Sequence, residues 1–191
     1  AGALLFVEFY GESESEVAAK VERLIAEMRR DQGSGFDAMI PRDAAHAAEI
    51  WSVRKAVEPI QHRDGWADGM IPAGFIEDAA VDPNRLGEFM EGLSRILEGY
   101  GRKWGTYAHA GAGLLHTRVY MDLSRSDELD AMQRIAEEVV ELVLSLEGTI
   151  SGEHGTGLTR TQFLPRQYGA LYPVLCQIKQ LFDPKNLLNP G

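Results

Sequence analysis

Apolar residues recur along this chain with two different periods, and the alternation between them predicts a mixed fold. Residues 4–10 are almost continuously apolar and β-rich, which predicts a buried strand. Ser13-Glu-Ser-Glu16 has the form of a capping box. In the helix it opens, Val17, Val21, Leu24, Ile25 and Met28 share one face. Gly33-Ser-Gly35 ends that helix, and residues 36–40 form a short strand. Asp43 opens a second helix carrying Ile50, Val53, Val57 and Ile60, with Pro59 set to kink or stop it. Residues 70–81 read as extended. Asp82-Pro83 is a capped helix start with proline at the first helical position, and Leu86, Phe89, Met90, Leu93, Ile96 and Leu97 follow as the clearest amphipathic stripe. Two strands, residues 105–110 and 115–123, are joined by the Gly111-Ala-Gly113 bend. A long helix over residues 127–146 turns Leu129, Met132, Ile135, Val139, Val143 and Leu146 inward. Residues 149–151 are briefly extended. The chain is helical again from about residue 165, through Leu171, Val174, Leu175, Ile178 and Leu181, to Asp183-Pro184.

Two strands joined by a tight bend must pair antiparallel. The expected fold is therefore α+β: a ferredoxin-like, mostly antiparallel sheet with helices on one face, plus a C-terminal helical segment. With 191 residues the chain fits one domain, residues 1–148 forming the α+β cap and residues 149–191 a closing segment. A net charge of -10, with the acids spread along helices, excludes a nucleic-acid partner that needs a basic face. No apolar run reaches the roughly 18 residues of a membrane-spanning helix. The single cysteine, Cys176, rules out a disulfide within the chain and points to a reducing, cytoplasmic compartment. Its apolar surroundings mark it as a small core residue. The first residues have neither the basic nor the cleavage region of a signal peptide, and the missing initiator methionine hints at an excised fragment. There is no internal repeat and no phosphate-binding GxxxxGK[ST] loop.

The chemistry concentrates in two glycine-rich motifs, His109-Ala-Gly-Ala-Gly-Leu-Leu-His116 and Ser151-Gly-Glu153-His154-Gly-Thr-Gly157. An odd separation on one strand would point His109 and His116 to opposite faces, but the bend between them folds the chain back so that both can converge. With Glu153 they make the two-His, one-Glu ligand count of an open catalytic metal site, while the adjacent His154 stays free as a base. Glycine-rich loops with ordinary surface histidines have the same spacing, and both readings stand at this level. His46 and His62 lie on a charged helical segment and carry no assigned role.

The stretch from Thr106 to Asp122, Ser-Gly-Glu-His-Gly-Thr-Gly-Leu-Thr-Arg160, and the closing Leu181-Phe-Asp-Pro-Lys-Asn-Leu-Leu-Asn-Pro-Gly191 together resemble the C-terminal half of FAD-linked oxidases. These are flavin dehydrogenases of D-2-hydroxy acids such as D-lactate, glycolate and D-2-hydroxyglutarate, and the resemblance runs from about Phe6 to the end. It implies a substrate and cap domain whose partner is the N-terminal FAD domain of the same protein, whose cofactor is FAD held mainly by that half, and whose last segment, residues 149–191, returns to the flavin. It implies His109, His116 and Glu153 as ligands of a divalent metal such as zinc or manganese. It gives His154 as the base that takes the substrate hydroxyl proton, Glu153 and Asn189 as groups near the cofactors, and Arg54 as the partner of the substrate carboxylate, a task suited to a guanidinium.

The form His-Ala-Gly-Ala-Gly-Leu-Leu-His-Thr-Arg resembles the branch fused to an iron–sulfur segment, whose cluster would lie in a downstream segment, since one cysteine cannot hold it. This chain carries Ala112 and Leu114 where many relatives have Asp and Asn. It has Glu58 and Ile76 where some D-2-hydroxyglutarate enzymes place Thr and Lys for a distal carboxylate. A small substrate of D-lactate or glycolate type is therefore expected. The resemblance further implies an enzyme that is cytoplasmic, or peripheral to the inner membrane through an electron acceptor. The isolated chain is expected to be inactive, and its uncovered surface around residues 152–157 and Asn189 to favour self-association. The competing readings are a non-catalytic interaction or regulatory module that keeps the cap fold, and a stand-alone metallohydrolase.

Overall fold

The computed structural model describes residues 3–32, 37–56 and 69–190, and the chain divides into two compact units, Ala1–Arg54 and Lys55–Gly191. The first unit holds helices α1 (Glu14–Gln32) and α2 (Ala44–Lys55). Half of the expected capping box forms: Glu16 N–H donates to Ser13 Oγ at 3.2 Å, while the Glu16 carboxylate reaches one residue further back and accepts from Glu12 N–H at 2.9 Å. Asp43 caps α2 by accepting from His46 N–H at 2.8 Å. The two strands expected in this unit do not form: residues 4–10 and 37–40 have no strand pairing among the described residues, and Leu4, Leu5, Val7, Met39 and Ile40 are exposed. An apolar β-rich run specifies a strand only where a neighbouring strand takes up its backbone groups. Phe6 instead stacks on Trp51, centroids 5.9 Å apart. The Gly33-Ser-Gly35 stop, Phe36, Val57, the Pro59 kink, Ile60 and His62 lie outside the described residues.

The second unit has the α+β architecture read from the sequence. Strand β4 (Leu114–Met121) is its centre. β3 (Trp104–His109) pairs antiparallel along one edge of β4, from Trp104 opposite Val119 to His109 opposite Leu114. Along the other edge β1 (Ile71–Ala73) pairs with the end of β4 and β2 (Ala79–Ala80) with its start. The extended run expected over residues 70–81 is thus broken by a turn at residues 75–78, which stands opposite the middle of β4. Asp78 takes a left-handed conformation there, with φ 71°.

Helices α3 (Leu86–Gly99) and α4 (Ser126–Ser145) supply the apolar layer. Asp82 accepts from Asn84 N–H at 2.8 Å, and Pro83–Arg85 makes a single 3-10 turn into α3. Phe89, Leu93 and Leu97 of α3 pack with Ala131, Ile135, Val139 and Val143 of α4 against Leu115, Val119 and Met121 of β4. Leu129 is exposed in the first turn of α4, a departure from the inward stripe.

After α4 the chain returns along β2, Ala80 and Thr149 exchanging hydrogen bonds of 2.9 and 2.8 Å. It then forms three helices: α5 (Gly157–Arg160), α6 (Leu164–Tyr168) and α7 (Tyr172–Phe182). α7 buries none of its residues. Cys176 is accordingly exposed rather than a core residue, as are Val174, Leu175, Ile178, Leu181 and Phe182. The apolar spacing set the helix but not which side would be covered.

The bend between β3 and β4 depends on Gly113. Its φ is 68°, its N–H donates to Ala110 C=O, and its own carbonyl accepts from Val81 N–H at 3.0 Å. A Cβ here would overlap the Val81 carbonyl oxygen, whereas one at Gly111 would meet open space. Gly113→Ala should therefore destabilise the fold by roughly 2–4 kcal/mol, adding a backbone clash to left-handed strain, and Gly111→Ala should stay within about 0.5 kcal/mol of the parent. Urea unfolding of the two variants tests the contrast.

Candidate active site

Register brings the first two histidines together. Odd-numbered residues of β4 face the helices, so His116 and Arg118 face the other way. His116 pairs with Tyr107, and residues opposite one another in an antiparallel sheet share a face. His109 lies two residues from Tyr107 on β3 and so joins that face. The two imidazoles stand 5.4 Å apart, nearly perpendicular at 87°.

Glu153 and His154 reach the same place through Asp78. The Asp78 side chain has no exposed surface. It accepts from Ser151 Oγ at 2.6 Å, from Glu153 N–H at 3.1 Å and from His154 N–H at 2.9 Å, and its carbonyl accepts from Gly152 N–H at 2.8 Å. Burial pushes its carboxyl up, but the bonds from Ser151, His154 and Glu153 outweigh burial and hold it below the usual carboxylate range. Arg160 closes the loop from the far side. It is buried, and its guanidinium donates to the carbonyls of Glu77, Gly155 and Thr156.

Three imidazole nitrogens consequently face a single carboxylate oxygen. Glu153 Oε1 lies 3.1 Å from His116 Nε2, 3.5 Å from His154 Nε2 and 3.7 Å from His109 Nε2. His154 stacks on His116, centroids 4.9 Å apart and planes within 17°. Behind both rings stands Glu77, whose hydrogen bond to His154 Nδ1, at 3.1 Å, holds that imidazole above the usual histidine range.

This donor set suits a divalent cation that takes imidazole nitrogen and carboxylate oxygen. Asp78, His116, Glu153 and His154 also offer ligand atoms within 4.8 Å of one another. The oxygens of Asp78 are already committed to three donors, so its part is to hold the loop. Beside His154, a Cβ at Gly155 or Gly157 would meet nothing within 4 Å, and Leu158 is 88% exposed. That leaves an open face free of side-chain bulk where a planar group can approach.

Asn189 and Ile76 lie outside this cluster, and Arg54 belongs to the other unit. Asn189 sits in a terminal turn organised by Asp183, which accepts from Lys179 and from the N–H groups of Leu187 and Leu188 and is held down to about 2 by them. Among the described residues Asn189 makes no hydrogen bond with the histidines. Arg54 belongs to the first unit, where its guanidinium carbon lies 5.1 Å from the centre of the Trp51 ring. Ile76 is buried in the apolar core, so its identity says nothing about a substrate's distal carboxylate. Glu58 lies outside the described residues.

Glu77 and Asp78 were not singled out from the sequence. Their signal was two adjacent acids inside the apolar run Phe75-Ile-Glu-Asp-Ala-Ala-Val81, since carboxylates in a buried segment require partners.

The family model described as FAD linked oxidases, C-terminal domain, matches residues 1–191. A D-2-hydroxyglutarate dehydrogenase of Pseudomonas putida is 33% identical over 97% of this chain, which spans 18% of that relative's length. A mitochondrial D-lactate dehydrogenase (cytochrome) of Arabidopsis thaliana is 27% identical over 98% of the chain and 32% of its own length. Glycolate oxidase subunit GlcD of Escherichia coli is 27% identical over 100% of the chain and 37% of its own length. The chain therefore covers less than a fifth of the first of these relatives and about a third of the other two.

Asp78→Asn should cost roughly 2–4 kcal/mol, because an amide cannot accept from all three donors and leaves buried N–H groups unpaired. Thermal melting reads the loss, and hydrogen exchange should show the Glu153 and His154 amides losing protection first. Unchanged protection at those two amides would remove Asp78 as the anchor of the loop.

Proposed function

The chain belongs to the family of C-terminal domains of FAD-linked oxidases, and on that premise we propose that it is the substrate-binding and catalytic half of a flavin-dependent dehydrogenase converting a D-2-hydroxy acid to the 2-oxo acid. The observation that carries this reading is the convergence of three Nε2 atoms on Glu153 Oε1, next to an open glycine face.

His109, His116 and Glu153 are the residues that would hold a divalent cation such as zinc or manganese, which when bound lowers the pKa of a coordinated hydroxyl. FAD, held mainly by the N-terminal half of the intact protein, supplies when bound the acceptor for the hydride leaving C2. His154 Nε2 takes the hydroxyl proton. Its basicity is raised by Glu77, and its place beside the other nitrogens is set by Asp78. Arg54 pairs with the substrate carboxylate. Residues 149–191, with Asn189 at their end, form the segment that returns to the flavin, and the exposed Leu158, Leu187 and Leu188 suit a surface covered in the intact protein, or by a second copy of the isolated chain. Among the described residues no helix is long and apolar enough to cross a membrane; we place the enzyme in the cytoplasm or at the periphery of the inner membrane.

The substrate is a small acid of D-lactate or glycolate type or the dicarboxylate D-2-hydroxyglutarate. The relative of that last name and the buried position of Ile76 keep the dicarboxylate in contention. Dye-linked oxidation by the intact protein of D-lactate, glycolate and D-2-hydroxyglutarate separates them, and turnover of none of the three defeats the reading.

His154→Ala in the intact protein should slow turnover at least about a hundredfold, the scale of a general base. A rate near that of the parent would take His154 out of the reaction. Calorimetric titration of the chain with zinc or manganese should show one site, lost in the His109→Ala, His116→Ala double variant. Equal binding by the double variant would refute the ligand set.

A further inference from the structure

We propose that Glu77 is a positioning residue: its one carboxylate holds the Nδ1–H of both His116 and His154, so that both rings turn an unprotonated Nε2 toward Glu153. Three observations carry this. Glu77 Oε1 lies 3.1 Å from His154 Nδ1, and Glu77 Oε2 lies 3.5 Å from His116 Nδ1. The stacked arrangement of the two rings brings both Nδ1 edges within reach of one carboxylate. Glu77 Oε2 and His116 Nδ1 are both buried and, among the described residues, neither has a hydrogen-bond partner although each faces the other. A small shift closes that pair and satisfies two buried polar atoms at once.

Glu77 is built to be the fixed partner. Its side chain is 13% exposed, and Arg118 Nη2 lies 3.6 Å from Oε2, giving the carboxylate a matching charge. Its backbone carbonyl is gripped by Arg160. An ionised carboxylate only accepts, so a neutral ring that donates its Nδ1–H to Glu77 keeps its lone pair on Nε2. Glu153 also stands near the rings, but it is 46% exposed, and its single Oε1 cannot hold protons from three Nε2 atoms. A neutral imidazole free in water favours the Nε2–H form, which can neither ligate a cation nor accept a substrate proton through that nitrogen. Glu77 thus reverses the ordinary preference at both rings, one proposed as a ligand and one as a base.

The purpose assigned to Glu77 rests on the metal-and-base reading, but the tautomers do not. They are a property of the chain without any metal. Long-range proton–nitrogen spectra of the chain labelled with 15N-histidine, free of metal and above the range where the imidazoles titrate, should report Nδ1–H for His116 and His154. Glu77→Ala should move both to Nε2–H. Nε2–H rings in the parent, or tautomers unchanged in a Glu77→Ala chain with a native amide spectrum, would overturn the proposal.

Should Glu77→Ala fail to fold, Glu77→Gln keeps the volume. Its amide oxygen can satisfy only one of the two nitrogens, so at least one ring should change tautomer, and two unchanged rings overturn the proposal. Zinc titration is the second readout: Glu77→Gln should weaken affinity about ten- to a hundredfold. A parent that binds no zinc yet shows the Glu77-dependent tautomers supports the positioning role and defeats the metal reading. A parent that binds zinc with Glu77-independent tautomers does the reverse.

Discussion

The buried carboxylate of Asp78 is the constraint on which the rest of the site depends. A charge with no exposed surface is tolerated only when donors surround it, and the donors here are the hydroxyl of Ser151 and the backbone N–H groups of Glu153 and His154. Satisfying Asp78 therefore fixes the backbone of the very residues that complete the histidine–carboxylate cluster. The turn that presents Asp78 exists because β1 and β2 split along one edge of β4, leaving the stretch around His116 without a strand on that side. The gap in the sheet admits the two acids.

Adjacent residues in that turn then act on different layers of the same cluster. Asp78 holds main chain, and Glu77 holds rings. On the open side, the three Nε2 atoms gather around Glu153 Oε1. The arrangement separates support from chemistry. The supporting acids are shielded and matched by Ser151, Arg118 and backbone groups, while His109, Glu153 and His154 remain half exposed.

Much of this was legible from local pattern. The Ser13 side-chain cap, the Asp82-Pro83 start, the stripe from Leu86 to Leu97 and the antiparallel pairing across Gly111-Ala-Gly113 each follow from short-range rules, and the structure has them. The convergence of His109 and His116 was also accessible, because register follows once a bend is placed between two strands. What the pattern could not give was partnership. Among the described residues, residues 4–10 have the composition of a strand but pair with no strand, and α7 has an apolar stripe of which no residue is buried. Cys176 is exposed for the same reason, since local apolarity does not say which elements come to cover it. Glu77 and Asp78 were hidden because a continuous extended segment would have pointed them to opposite faces. Only the left-handed turn at Asp78 gathers them onto one cluster.

The sequence separations inside the site have a kinetic meaning. Asp78 reaches Ser151 across 73 residues and His154 across 76, His154 reaches Glu77 across 77, and Arg160 reaches Glu77 across 83. The β3–β4 hairpin and the α3–α4 layer join segments much closer along the chain. Contacts of long range must first meet the entropy of closing their loops, so they form after local ones. A chain leaving the ribosome would build its sheet and helices while His109 and His116 wait for a loop not yet delivered. The cluster would be completed as the final event of folding and would be the first part lost when the molecule begins to open.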